Sequence, residues 1–461
     1  MTDACSCFLL ARNEVRAWPA PAGFATSGRS SRPLVSFAGM ARGRLLVDLG
    51  PFRESQAFRR LWGGYLVTTL GSQLTVVAIP YQVFRLTHSS LDVGLIGLAQ
   101  ILPVLVGSLF GGSVADAVDR RSLLLVTQLC LAVCSLGLAL NSTGGHAALW
   151  PLYALSALGA GLASIDSPTR SAVLANLVGR PLFASANALW QLLYQVAQVA
   201  GPAIAGLLLA QVSIASVYWI DTATFAVSLL AVASLPRLRP PGGGTRFGLK
   251  SIAEGLAYLK GKQVLQGTFV VDLNAMVLGM PRALFPALAL VRFHGTATTL
   301  GLLYAAPGVG ALLGALLTGW VVAVRKQGRA VLIAVVIWGT AIAAFGIVPW
   351  LAAALVLLAV AGAADVVSAV FRGTILQLEA PEALRGRLSS VHTAVVTGGP
   401  RLGDFEAGAV AALSTPQISI VSGGLGCVVG VGLVALLMPR FARYDTGDER
   451  AHGPTTPGVQ G

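Results

Sequence analysis

The chain has 461 residues, of which 55% are hydrophobic and only 11% charged, and its mean hydropathy is +0.75. A soluble domain carries about 25% charged residues, so a single water-exposed globule is excluded and lipid must be the solvent for most of the chain. The net charge of +13 would suit nucleic acid, but loops that hold Lys and Arg on one membrane face account for it, and no nucleic-acid partner is expected.

Residues 1–60 form an N-terminal tail. Within it, 1–39 contain Pro19, Pro21 and scattered arginines, with no apolar run of spanning length and none of the regions of a signal peptide. They are read as a mis-assigned start or a disordered tail, because Met40-Ala-Arg-Gly-Arg opens a more natural beginning, followed by an amphipathic lead-in through Phe58-Arg59-Arg60. Apolar stretches of about 20 residues, the length that crosses the hydrocarbon, then recur at 61–84, 93–115, 122–140, 147–165, 188–210, 214–235, 264–289, 299–324, 330–349, 351–371, 389–413 and 418–438. The predicted fold is an all-α membrane protein, twelve transmembrane helices in two pseudo-symmetric six-helix bundles. The bundles occupy 61–235 and 264–438. Between them 236–263 is a cytoplasmic linker with the hinge Pro240-Pro241-Gly242-Gly243-Gly244 and an amphipathic surface helix at 248–260. Residues 439–461 are a cytoplasmic tail.

With the Met40 end inside, the connections on that face hold 24 Lys and Arg, Arg170 and Arg372 among them, and the opposite face holds only Arg85 and Arg292. This asymmetry puts both termini in the cytoplasm and suits a multi-pass protein of a bacterial plasma membrane. Trp150 and Trp350 open spans four and ten on the outer side, as interface anchors do. Five cysteines, Cys5, Cys7, Cys130, Cys134 and Cys427, show neither a disulfide framework nor zinc spacing. No metal site is expected.

The two halves are related. Gly94, Gly107 and Gly112 recur 207 positions later as Gly301, Gly314 and Gly319; Arg170, Leu182, Gly201, Ala205 and Gly206 recur 202 positions later as Arg372, Leu384, Gly403, Ala407 and Gly408. One offset kept through several helices marks an internal repeat, and parallel six-helix repeats with a site at their interface are a transporter plan. Between spans two and three lie Gly112, Asp116, Asp119, Arg120 and Arg121. Glycine lets helix backbones approach, and the charges suit helix ends and the cytoplasmic surface; the set reads as a gate latch, against the plainer reading of a basic turn. Span five carries Gly201, Pro202, Ala205 and Gly206, a proline bend among small residues.

These motifs resemble the major facilitator superfamily. The loop departs from that family's signature at Ala117, where a base is usual, and at Asp119, where glycine is usual; its second-half copy, Gly319 to Arg329, has Ala323 in place of the acid. The Gly201-Pro202 segment is similar to the antiporter motif of exporter branches, with Ala205 where glycine is usual. Further resemblance to the enterobactin-exporter branch runs from about Leu46 nearly to the end of the chain. It is carried by Ala57-Phe58-Arg59, Thr87-His88-Ser89-Ser90, Val93-Gly94-Leu95, Arg282 to Ala289, Leu303-Tyr304-Ala305-Ala306 and Pro381-Glu382-Ala383-Leu384-Arg385-Gly386-Arg387. The resemblance implies siderophore efflux driven by protons, with drug and macrolide exporters close by.

Charges within spans are costly in lipid and persist when paired or functional. The proton-coupling candidates are Asp272 first, then Asp404 and Glu406, with Asp365 and Arg401; Asp221, near the outer end of span six, reads as a structural hydrogen-bonding group. Spans three and four, as bounded here, contribute no acid or base. Gln73, Gln191, Tyr194, Gln195, Gln198, Asn274, Arg282 and Tyr304 are cavity candidates, and the glutamines spaced four and three apart make one polar face on span five, the alternative being interhelical glue. No phosphate-binding loop, zinc-protease motif or nucleophile elbow is present, so no catalytic residue and no cofactor are expected. The chain is read as a monomeric, proton-coupled exporter of a small amphipathic solute in contact with membrane lipid. A drug efflux pump, or a non-transporting sensor on the same fold, remain the alternatives.

Overall fold

A computed structural model describes residues 48–236, 249–381 and 384–446; the readings of 1–39 and of the Pro240 to Gly244 hinge fall outside these residues. All regular elements among the described residues are helical. The first half comprises α1 (Gln56–Thr87), α2 (Ser90–Ala117), α3 (Arg120–Thr143), α4 (Leu149–Leu177), α5 (Phe183–Gln211) and α6 (Ile214–Ala233). The short amphipathic α7 (Leu249–Leu259) follows, lying against the second half through an Arg387–Glu254 ion pair of 2.8 Å. The second half comprises α8 (Gln263–Leu278), α9 (Ala297–Leu316), α10 (Gln327–Ile347), α11 (Leu351–Glu379), α12 (Arg385–Leu413) and α13 (Pro416–Leu437).

Local chemistry sets these boundaries. Ser55, Ser89, Asp119, Ser213, Thr296 and Thr415 each accept a backbone N–H of the first turn that follows, which satisfies donors that have no partner inside a helix. Nine helical stretches among the described residues are long and apolar enough to cross a membrane. The other three, α1, α4 and α12, are 32, 29 and 29 residues long but carry more polar and charged side chains. Leucines on the outer faces, such as Leu102 at 71% and Leu436 at 78% exposure, form the apolar surface that lipid covers. Trp150 and Trp350 stand exposed at the starts of α4 and α11, as anchors should.

Four spans differ from the sequence reading. Helix α4 runs on to Leu177 instead of stopping at 165, and α11 to Glu379 instead of 371. The seventh span is broken: α8 ends at Leu278, and Gly279 to Pro281 leads into a 3-10 turn at Arg282–Leu284, one helical turn at Phe285–Ala287 and a π turn at Leu288–Arg292. Pro281 and Pro286 supply no N–H to continue the ladder. Arg292 closes the segment by donating to the carbonyls of Gly346, Ile347 and Val348, at 2.5, 2.7 and 2.8 Å, where α10 ends; a cation there meets the negative end of a helix. The eighth span likewise gives way at Leu316 to a 3-10 stretch at Thr318–Ala323.

Packing repeats with the sequence. In the first half α2 lies on α4, α3 on α4 and α6, and α1 on α5 and α6; in the second α9 lies on α11, α10 on α11 and α13, and α8 on α12 and α13. The halves join along two seams, α2 with α12 and α5 with α9. The repeat glycines form both seams. A Cβ on Gly94 would sit 2.7 Å from the Asp404 carbonyl oxygen and 3.2 Å from the Gly408 Cα; one on Gly301 would sit 2.5 Å from the Pro202 carbonyl oxygen and 2.8 Å from the Gly206 Cα. Backbone meets backbone there, a contact only glycine permits.

Gly301→Val should therefore force the α5–α9 seam apart and destabilise the protein by about 1–3 kcal/mol, read as a lower midpoint of thermal unfolding in detergent. Gly319→Ala, where an added Cβ meets nothing within 4 Å, should leave that midpoint unchanged.

Candidate functional site

Between the halves lies a cavity of about 290 Å³. Its first-half wall is built by α1 (Ser72, Thr75, Ile79), α2 (Val93, Gly97, Gln100), α3 (Cys134, Ser135), α4 (Ser156, Ala163) and α6 (Asp221, Phe225). Its second-half wall is Arg282 and Ala283 from the broken seventh span, Tyr304 from α9, and Arg401 and Asp404 from α12. The break at Gly279 to Pro281 brings Arg282 to this wall. The Asp404 carboxylate accepts the Ala283 N–H at 3.1 Å, and the Tyr304 hydroxyl donates to the Arg282 carbonyl at 3.2 Å. Arg401 has a buried Nε that makes no hydrogen bond. Charged groups of both signs, hydroxyls and an amide among apolar side chains suit a solute with apolar and polar parts.

Of the residues singled out from sequence, Arg282, Tyr304, Arg401 and Asp404 thus meet at one cavity, with Asp221 on its opposite wall. Gln73 donates to Gln198 at 2.5 Å and Gln198 to the Tyr194 hydroxyl at 2.9 Å, a link between α1 and α5; these side chains act as interhelical glue. Gln191 and Gln195 lie partly buried on α5. Asn274 donates to the Cys427 carbonyl at 2.9 Å and ties α8 to α13, away from the cavity wall. Glu406 is partly buried on α12 and does not line the cavity. Gly201 and Pro202 are buried on α5, where Gly201 packs on the Gln73 side chain, and Ala205 and Gly206 are buried beside them.

The loop between α2 and α3 contacts neighbouring helices. Arg120 donates to the carbonyls of Ala115 and Ala172, both at 3.4 Å, and Arg121 to that of Ala233 at 2.6 Å, so Arg120 ties α2 to the second-last turn of α4 and Arg121 reaches the last residue of α6. Asp119 caps α3 through Ser122. The Asp116 side chain lies outside the described residues.

Each half also buries an arginine cluster. In the second, Arg372 on α11 pairs with Asp272 on α8 and stands 3.7 Å from Asp365, and His392 on α12 approaches Asp272 to 4.0 Å. In the first, Arg170 on α4 pairs with Asp166 and lies over the Tyr65 ring, 4.7 Å from its centroid, while Thr127 and Gln128 donate to Asp166 at 2.8 and 2.9 Å. Tyr65 in turn stacks on Trp190 at 4.3 Å. Arg170 and Arg372, counted above as loop residues, are 2% and 3% exposed: the longer α4 and α11 carry them inside. Asp166 was missed for the same reason, one residue past the assigned end of span four, so that span does contribute both an acid and a base. The available signal was the recurrence of Arg170 as Arg372 at the repeat offset.

The comparisons agree with this architecture. A family model described as a transmembrane secretion effector, within the major facilitator superfamily, matches residues 47–456, and the chain belongs to that family. It is a membrane transporter for small molecules and not an enzyme. An enterobactin exporter of Citrobacter koseri is 30% identical over 405 residues, spanning 88% of this chain and 97% of that protein. An enterobactin exporter of Escherichia coli (strain SMS-3-5) is 30% identical over 399 residues, 87% of this chain and 96% of that one. Among solved structures, a peptide transporter variant superposes with a TM-score of 0.69 at 11% identity, covering 85% of this chain and 96% of its own. A nucleoside transporter variant gives 0.66 at 14% identity, covering 83% and 98%. At such identities the structural likeness shows the fold alone.

Neutralising one member of a buried pair strands the other charge, at a cost of about 3–5 kcal/mol. Asp166→Asn, which leaves Arg170 with no carboxylate, should accordingly lower the thermal midpoint sharply, and adding Arg170→Gln to the same chain should recover most of that loss.

Proposed function

We propose that the chain exports a siderophore or a similar small amphipathic molecule in exchange for protons, by alternating exposure of the cavity between its halves. The observation that carries this reading is the cavity wall itself: Arg282, Tyr304, Arg401 and Asp404 from one half face Gln100 and Asp221 from the other across a space on the pseudo-symmetry seam. A solute held there touches both halves, so its binding is coupled to their relative position. Identity of 30% with enterobactin exporters across nearly the whole length of both chains supports a siderophore as the solute. The proton is the natural driving ion for a chain with carboxylates inside its helices and no nucleotide-binding loop. The bundles at 61–235 and 264–438 act as the two moving bodies, with the linker 236–263 and both termini on the cytoplasmic face, where the Arg120–Arg121 loop also lies.

Deleting the gene and comparing spent medium under iron limitation tests this. The deletion strain should release several-fold less siderophore and accumulate it inside the cell, with normal drug susceptibility. Unchanged siderophore release with heightened drug susceptibility would replace the siderophore by a drug-like substrate.

A further inference from the structure

Four aspartates among the described residues expose less than a tenth of their surface: Asp166, Asp221, Asp272 and Asp365. Three of them face an arginine, Asp166 with Arg170, and Asp272 and Asp365 with Arg372. Asp221 is the exception. It is 2% exposed, yet its carboxylate is held only by hydroxyls: Thr75 of α1 donates at 2.6 Å, Ser135 of α3 at 2.9 Å and Thr224 of its own helix at 3.5 Å. The shell around them is equally neutral. Thr222 donates to Ser135 at 3.2 Å, and the Tyr218 hydroxyl donates to Gln82 of α1 at 2.9 Å. The helices packed against α6 present Thr75 from α1, and Ser135 with Cys134 from α3; charged groups at the same cavity, Arg282, Arg401 and Asp404, belong to the opposite half.

We propose that Asp221 is the carboxyl group that exchanges a proton with the cavity, a proton site set in a cradle of hydroxyls contributed by three helices. This rests on the proposed export reading and deepens it by assigning the ion's place. The physical reason is what protonation leaves behind. A proton on Asp166 would orphan the Arg170 guanidinium, and one on Asp272 or Asp365 would take from Arg372 one of the two carboxylates it faces. A proton on Asp221 orphans nothing, because rotating hydroxyls donate to the carboxylate or accept from the acid as required. Asp221 also lines the cavity, so a proton reaches it by the solute's own route. A solute hydroxyl that donates to the carboxylate needs the proton gone, which makes solute and proton exclude one another, as exchange requires.

The test is pH-difference infrared spectroscopy on the full chain in lipid vesicles, following the carbonyl signal of a protonated carboxyl. Wild type should gain this signal on mild acidification. Asp221→Asn, whose amide oxygen still accepts from Thr75 and Ser135, should lose it; Asp404→Asn should keep it. Ser135→Ala and Thr75→Val retain the carboxyl and should move the pH at which the signal appears. A signal that persists in Asp221→Asn, or one unmoved by both hydroxyl deletions, would overturn the assignment. Loss of the wild-type signal when sodium chloride replaces choline chloride at fixed pH would also overturn it, in favour of a sodium site. In the same vesicles, enterobactin movement should be accelerated by an imposed pH gradient in wild type and indifferent to it in Asp221→Asn. Vesicles that move no enterobactin would defeat the export reading, and the infrared result would still decide Asp221.

Discussion

Where the two halves cross, no side chain stands between them. Gly94 lies on Gly408 and Gly206 on Gly301, backbone against backbone, on the paired seams of α2 with α12 and α5 with α9. The rest of the molecule follows from that closeness. Two bundles that touch along narrow glycine seams leave their remaining inner faces apart, and the cavity is the space so left. The seams also bring α12 and its Arg401 and Asp404 against the first half, so groups of opposite repeats meet at one wall.

Lipid imposes the second constraint. A buried charge in a membrane protein needs a partner, and each half solves this at the same repeat position, Arg170 in α4 and Arg372 in α11, with different partners. The first half balances Arg170 with Asp166 and an aromatic face; the second divides Arg372 between two carboxylates. Duplicated helices have thus kept the cation and diverged around it. Arg121 and Arg292 follow a related rule at helix ends, where they collect carbonyls that have no partner within the helix.

Much of this was legible in the residues. Apolar runs of spanning length placed the helices, and the matches at offsets of 207 and 202 marked the duplication; that Gly94, Gly206, Gly301 and Gly408 among them form the seams became visible only with the contacts. What composition hid lies where a polar residue extends a helix. Asp166 and Arg170 end an apolar run without ending α4, since a buried ion pair substitutes for hydrophobicity, and no window of mean hydropathy registers pairing. The break at Gly279 to Pro281 was obscured in the opposite way, by apolar residues that continue through it. Asp221 was read as structural from its place near a helix end; that its neighbours are all hydroxyls, from helices distant in sequence, is a tertiary fact. The polar stripe of α5 was recognisable, but not that Gln198 reaches across to Gln73.

In the proposed cycle the two halves move as bodies about the glycine seams, opening the cavity to one side at a time. Distances between paired spin labels measure this directly, with Ser171 and Leu378 labelled at the ends of α4 and α11, and Ser213 and Ser414 beside the ends of α5 and α12, all exposed positions. In lipid vesicles two populations are expected whose balance changes with pH, one pair shortening as the other lengthens. A single distance for both pairs, the same under every condition, would contradict the cycle.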